Sequence, residues 1–382
     1  MKILVLNAWS SSLKYQLLEM PQNSVVAKWI VEKVWEKWSS IKNHTEALQS
    51  VLDTLSAHWT IDAIGHRVVH GGEYFKNPVI VTDDVIAKIT ECSDLAPLHN
   101  PANLQAILAC KELLPKVPQV AVFDTAFYQG MTPEHYLYAL PMKYYEQYKI
   151  RRYGFHWTSH QYVYEQLITN YELRITNSKI PKKNFKVITC HVGNGVSITA
   201  IKDGKVIETS MGMTPLEGLM MWTRSGNIDP AIIFHLHKYE KLSDDTIEHM
   251  LEYESWLLGV SGVSSDMRDI LAGIEKWNKQ CVLALDMYIN SFVKYIWAYA
   301  ALLWWIDVIV LTAGIMEHRA VIRTKLFERL AWMWVVLDDK ANQDDPGSER
   351  VISTPDSKVI VVIIPTNEEY MIAKETFKLV NK

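Results

Sequence analysis

An arginine set among apolar residues is the first position in this sequence that demands a partner. Arg67 stands in Gly65-His66-Arg67-Val68-Val69-His70-Gly71-Gly72, at the end of what reads as a strand. A guanidinium there is costly to bury unless an anion pairs with it, and its planar fork suits a carboxylate or a phosphate. A structural ion pair meets the same demand. Arg224, in the Gly/Ser/Thr setting of 223–226 that follows Thr214-Pro215-Leu216-Glu217-Gly218, carries the same two readings. Asp124 follows a short apolar strand, where a carboxylate serves as base, metal contact or helix cap. His156, beside the bend that Gly154 permits, either donates to a phosphoryl group or packs.

Two small polar turns can wrap phosphate oxygens with backbone amides. The first spans 7–14, with Asn7 able to reach a metal or its water and Lys14 just beyond Ser10-Ser11-Ser12; the second is the Gly/Asn loop 192–195. A plain Ser-rich turn fits the first equally well. In 264–269, Asp266 can take ribose hydroxyls while Arg268 covers a base or phosphate, unless this is a solvated helix start. Glu368 and Glu369 form an acidic pair suited to a hard cation, or an acidic first helical turn. There is no Walker A lysine and no Ser/Cys–His–Asp signature. Phosphate-type loops, isolated arginines, a histidine and acids at strand ends suit phosphoryl transfer, which runs on positioning and charge neutralisation.

Strands and helices must bring these residues together. Residues 2–7 and 13–18 read as strands around a polar loop, and the pattern recurs at 186–191 and 196–202, with an Asp203-Gly204 hairpin leading to 205–209. Two such units suggest an internal duplication. Helical spacing marks 45–57, 83–91, 101–114, 160–169, 229–237, 243–253 and 275–301; strands 308–312 and 359–364 precede small loops and helices. Strands feeding loops and helices make an α/β protein with its site at strand ends. The net charge of −4 offers no basic field for nucleic acid or anionic membrane, and the most apolar stretch, 281–312, is broken by Asp286, Asn290, Lys294 and Asp307. Four scattered cysteines suit a reducing cytoplasm.

In order along the chain come NAxSSSLKYQL, GHRVVHGG, APLHNPANL, VFDTAF, RRYGFHxTSH, HVGNG, TSMGxTPLEG, TRSG, SGVSSDMRD and IPTNEE. On these motifs the chain resembles acetate kinases over essentially its whole length. The resemblance implies two duplicated actin-like (ribonuclease H-like) α/β domains around an interdomain cleft, 1–127 joined by the C-terminal helix 366–382, and 128–365 holding the nucleotide. It implies reversible, direct in-line phosphoryl transfer between ATP and acetate with Mg²⁺, or Mn²⁺ in its place, by a cytoplasmic homodimer. Arg67 and Arg224 would bind the carboxylate and the migrating phosphoryl, His156 and Arg224 would stabilise the transition state, and Asp124 would orient or activate the carboxylate. Val69, Leu98, Phe155 and Pro215 would line the methyl pocket, and Asn7 and Glu368 would serve Mg²⁺. Lys14 and the loop His191, Val192, Gly193, Asn194, Gly195 would lie near the phosphates. Asp266, Met267 and Arg268, with Gly314, Ile315, Met316, Glu317 and His318, would hold the nucleoside.

Three departures bear on activity. Where the family has glycine, this chain has Trp9, Trp157 and Trp222. An indole there is expected to clash with ligand or strain the loop. The family's AGIGEN reads Ala313-Gly314-Ile315-Met316-Glu317-His318, and the chain holds 14 tryptophans against 16 glycines in 382 residues, where roughly 7% glycine is usual. A propionate or butyrate kinase, or a catalytically impaired nucleotide-binding relative, are the alternatives.

Overall fold

The computed structural model describes residues 1–9, 12–32, 44–56, 58–174, 183–343 and 347–382. Ser10 and Ser11 of the first polar turn lie outside the described residues.

Among the described residues, two sheets of six strands repeat one plan. The first holds β1 (Lys2–Trp9), β2 (Ser12–Glu19), β3 (Ser24–Glu32), β4 (Ala63–Val68), β5 (Val79–Ile80) and β6 (Gln119–Phe123), in the order β3-β2-β1-β4-β6-β5. The second holds β7 (Lys186–Val192), β8 (Val196–Lys202), β9 (Lys205–Thr209), β10 (Val308–Thr312), β11 (Arg350–Val351) and β12 (Ile360–Ile363), in the order β9-β8-β7-β10-β12-β11. Adding six to each strand number of the first sheet reproduces the second. In both, three strands form an antiparallel meander, two more add in parallel, and a short strand closes the edge antiparallel. The duplication expected from two strand–loop–strand units is therefore a repeat of whole sheets, as an actin-like fold requires.

Each sheet is buried on both faces, which is why its central strands read as unbroken apolar runs. In β1, Ile3 and Val5 pack with Ile372 and Ala373 of the last helix, Glu368–Val380. Leu4 and Leu6 point the other way, to Leu48 and Val51 of helix His44–Ser56 and Ala106 of helix Asn100–Leu113. In the second sheet Val187, Val308 and Val310 meet Val163 and Leu167 of helix Trp157–Arg174, while Ile188, Ile309 and Leu311 meet Leu285, Ile289 and Phe292 of helix Lys279–Leu302. The last helix and Trp157–Arg174 also touch, through Lys374–Glu165 (2.5 Å) and an edge-on Tyr162–Tyr370 pair, and so tie the sheets together. Gly65 allows that last helix to rest on β4: a Cβ there would sit 2.5 Å from Thr376 Oγ1 and 2.7 Å from Ile372 Cγ2.

Some element bounds differ from the sequence reading. The loop expected at 8–12 is narrower, because β1 runs to Trp9 and β2 starts at Ser12. The helix expected over 275–301 starts later, at Lys279: Glu275 ends the preceding helix Met267–Glu275, and Asn278 caps Lys279–Leu302 by accepting from the Gln280 and Cys281 amides. The helix expected over 243–253 gives way after His249 to a π turn, Met250–Glu254. No helix among the described residues is long and apolar enough to cross a membrane.

Candidate active site

The parallel strands of both sheets run out at one place. Arg67 is the penultimate residue of β4, and Asp124 follows β6 with its amide bonded to Val68 O at 3.0 Å. Arg67 Nε lies 3.1 Å from both Asp124 carboxylate oxygens and Nη2 lies 2.5 Å from Oδ2, while Nη1 donates to Asn7 Oδ1 at 3.2 Å. The structural ion pair is thus real, and it also links three of the candidate residues. Burial opposes the Arg67 charge, but Asp124 above all, with Glu368 and Glu369, raises its pKa and holds it protonated.

Two asparagines brace the loop after β4. Asn103 accepts from Val69 N (3.0 Å) and donates to Ala8 O (2.7 Å), joining the exits of β4 and β1. Asn100 accepts from His70 N and donates to His70 O, both at 2.9 Å. Asn103→Ala orphans a buried amide and a carbonyl, so a loss of about 1–3 kcal/mol in unfolding free energy is expected by denaturant titration. Of the candidate methyl-pocket residues, Val69, which this brace holds, and Phe155 share one buried cluster with Ala96, whereas Leu98 and Pro215 are half-buried.

His156 has φ +61°, a left-handed conformation in a non-glycine residue and one of the places where strain collects at functional sites. Its ring stacks on His191 (centroids 4.2 Å apart), and a Cβ on Gly195 would come within 3.1 Å of its Nε2. The second polar loop therefore passes directly under the imidazole. His156 Nδ1 lies 2.8 Å from Ser197 Oγ, which lies 2.7 Å from His160 Nε2, and His160 Nδ1 lies 2.7 Å from Thr189 Oγ1. Burial pushes the His156 pKa well below the ordinary value, helped by His191, His160, Arg67 and Arg224. Both arginines and the three histidines thus share one electrostatic neighbourhood.

Arg224 donates from Nε to Glu252 Oε2 at 2.8 Å, and the π turn is what presents Glu252. Glu368 Oε2 accepts from Thr158 Oγ1 at 2.9 Å. Burial raises its pKa, but Arg67, then His191, Thr158 and Lys14, outweigh this and keep it below the usual carboxyl value. Glu368, held ionised chiefly by Arg67, and Asn7, bonded to the same guanidinium, offer the oxygen donors that fit a Mg²⁺ ion, which needs few protein ligands when phosphates supply the rest. Lys14, opposite Asn7 in the β1–β2 register, pairs with Glu369.

The proposed nucleoside residues lie farther along the same edge. Asp266 caps helix Met267–Glu275 and pairs with the exposed Arg268 side chain (Nη2–Oδ2 2.5 Å), the solvated helix start left open by the sequence. Glu317 turns inward, accepting from Ala313 N (2.5 Å), Thr312 Oγ1 (3.3 Å) and Thr366 N (3.1 Å), so it fastens the 313–318 loop to the end of β12. Met316 and Ile315 are buried, and His318 Nδ1 is buried with no hydrogen-bond partner.

The chain matches the acetokinase family over residues 2–374. This chain belongs to the acetokinase family. An acetate kinase of Treponema denticola is 50% identical to it over 404 aligned residues, with 100% of both chains covered. A crystal structure of Porphyromonas gingivalis acetate kinase superposes with a TM-score of 0.91 at 43% identity, covering 99% of each chain. A propionate kinase from Francisella tularensis gives 0.91 at 38% identity, again with 99% of each chain covered.

Several residues that build this acetokinase site carried no recognised signal of chemistry. Asn100 and Asn103 stand out in the sequence only as part of APLHNPANL, and Glu252, Ser197 and Thr189 lie in no motif that points to chemistry. Burial also holds His66 at about 4 and His70 and His99 at about 3, and lowers His160 and His191. A histidine whose folded pKa lies below its unfolded value near 6.5 binds its proton only on unfolding. Stability is therefore full above about pH 6.5 and lost as pH falls toward 4, by up to about 1.4 kcal/mol per unit for each such group. Tm should drop steeply between pH 7 and 5; a flat profile would contradict neutral burial.

Proposed function

We propose that this chain transfers a phosphoryl group between ATP and acetate, giving ADP and acetyl phosphate. What supports the reading is the meeting of Arg67, His156, Arg224 and Glu368 at the strand ends of two sheets in a member of the acetokinase family. An acetate oxygen attacks the γ-phosphorus as the bond to the β-phosphate oxygen breaks, so no residue need bear a covalent phosphate. Arg67 and Arg224 bind the carboxylate and the migrating group, and Asp124 orients the carboxylate by fixing the Arg67 fork. His156 donates from Nε2 to a phosphoryl oxygen in the transition state. Ser197 and His160 act as positioning residues for that imidazole.

Lys14 and the loop 191–195 attend the phosphates, and 266–268 with 314–318 the nucleoside. Asn7 and Glu368 would hold Mg²⁺, which neutralises phosphate charge when bound. Residues 1–127 with 366–382 form one domain and 128–365 the other, in a cytoplasmic homodimer. Val69, Leu98, Phe155 and Pro215 set acyl length, and one methylene is worth about 1–3 kcal/mol in discrimination. A coupled assay for ATP from ADP with acetyl or propionyl phosphate tests this. Faster turnover of acetyl phosphate is expected, and no ATP from either would defeat the proposal. With a chiral phosphorus the product should be inverted; retention would rule out single direct transfer.

A further inference from the structure

Tryptophan occurs in this chain where the backbone calls for glycine. Among the described residues, twelve non-glycine positions have positive φ, and five of them are tryptophan: Trp256 (50°), Trp277 (61°), Trp304 (56°), Trp305 (98°) and Trp334 (53°). A bulky L residue is a genuine outlier in this region, and 98° lies beyond the left-handed basin that L residues use. Two of the five sit in complete helix-ending motifs. After helix Met267–Glu275, Trp277 N bonds Ile274 O (2.9 Å) and Asn278 N bonds Gly273 O (3.0 Å). After Lys279–Leu302, Trp304 N bonds Ala301 O (3.1 Å) and Trp305 N bonds Ala300 O (2.8 Å). Both are Schellman pairs whose left-handed C′ position is ordinarily glycine or asparagine.

For three of the five, packing gives little back for this strain: Trp277 is 90% exposed, Trp304 87% and Trp334 61%. Trp256 is buried in the core and stacks on Tyr288, yet its Nε1, like that of Trp222, is buried without a hydrogen-bond partner. Trp297 and Trp332 are crowded to 3.6 Å between ring centroids while nearly perpendicular, inside the 4.5–7 Å of a normal edge-to-face pair. Glycine scarcity and tryptophan abundance in the composition go the same way.

We propose that the natural protein carries glycine at positions 256, 277, 304, 305 and 334, and at 9, 157 and 222, because one codon that its cell reads as glycine is written here as tryptophan. Independent substitutions at left-handed positions would favour asparagine and aspartate, and at close-approach positions alanine and serine; a single replacement type recurring at all of them indicates one cause. UGA is the codon that different genetic codes read as stop, tryptophan or glycine. The second group rests on the kinase reading. Trp157 is buried immediately after His156, with its amide bonded to Asp124 O (3.2 Å), Trp222 lies two residues before Arg224, and position 9 ends the strand that carries Asn7. Glycine at 157 and 222 would remove an indole from the neighbourhood of His156 and Arg224.

Peptide mass spectrometry on the protein isolated from its own cells reads the residue directly. Glycine at 256, 277, 304, 305 and 334 is expected; tryptophan there, or UGG at those codons, would overturn the proposal. Independently, the chain as written can be compared with Trp277→Gly/Trp304→Gly/Trp334→Gly, all three exposed. Relief of three left-handed strains should raise Tm by about 5 °C or more, and an unchanged or lower Tm would count against it. Trp9→Gly/Trp157→Gly/Trp222→Gly should raise kcat/KM for acetyl phosphate at least tenfold. A higher Tm and glycine peptides without any kinase activity would uphold the glycine assignment and overturn the substrate reading instead.

Discussion

Replacing Arg67 with alanine is expected to lower kcat/KM by at least about 10²–10³-fold, the loss seen when one preorganised donor to a developing charge is removed. It should also destabilise the fold by about 3–5 kcal/mol, because Asp124 would be left buried without its countercharge. The two effects can be separated. In Arg67→Ala/Asp124→Asn the orphaned charge is gone, so most of the stability should return while kcat/KM stays low. Recovery of activity in the double variant would mean that Arg67 serves only to neutralise Asp124. Arg224→Ala should lose similar activity and also some stability, since its partner Glu252 is buried; the stability cost should be smaller than for Arg67→Ala because Arg224 itself is partly exposed. Melting curves and steady-state assays on the same four proteins decide between these outcomes.

The strands that carry the site were legible because burial on both faces writes them as apolar runs, and Asp203-Gly204 named its own turn with φ 49° and 79°. Strand β3 was not legible: Ser24–Glu32 lies at a sheet edge, with Val25, Trp29 and Ile30 exposed. Val26, Ala27 and Val31 pack on the core while their apolar neighbours face out, so the run shows no clean two-residue alternation. The π turn that aims Glu252 at Arg224 depends on a slip in backbone hydrogen bonding, which residue types do not encode. Asp266 illustrates a different limit. Capping its own helix and pairing with Arg268 are what its sequence neighbourhood favours, so sequence and geometry agree on the helix start. Arg67 was legible as a buried cation in need of an anion; that Asn7 and Asp124 share it follows only from the parallel register of β1, β4 and β6.

His156→Ala is expected to reduce kcat by about 10²–10³-fold, and the hydrogen bonds behind the ring say how the wild-type imidazole works. Its lowered pKa makes it neutral at working pH, so it can donate to a phosphoryl oxygen only if its proton is on Nε2. Each hydroxyl in the chain has a single proton, which makes the chain directional. If Thr189 gives its proton to His160 Nδ1 at 2.7 Å and not to the more distant Thr199 O at 3.5 Å, His160 donates from Nε2 to Ser197, and Ser197 donates to His156 Nδ1, leaving the His156 proton on Nε2. The reverse order leaves a lone pair facing the phosphoryl group, which would repel it. Nitrogen-15 NMR of the histidine rings should therefore report the Nε2–H tautomer for His156, with no ionisation near pH 6.5 in kcat/KM. Ser197→Ala breaks the chain at its centre. It should lower kcat about tenfold with KM little changed, since about 1.4 kcal/mol is the size of one such hydrogen bond, and shift the His156 tautomer signal. An unaltered kcat and tautomer in that variant, or an Nδ1–H tautomer in the parent, would remove the chain from the mechanism and leave Ser197 as packing alone.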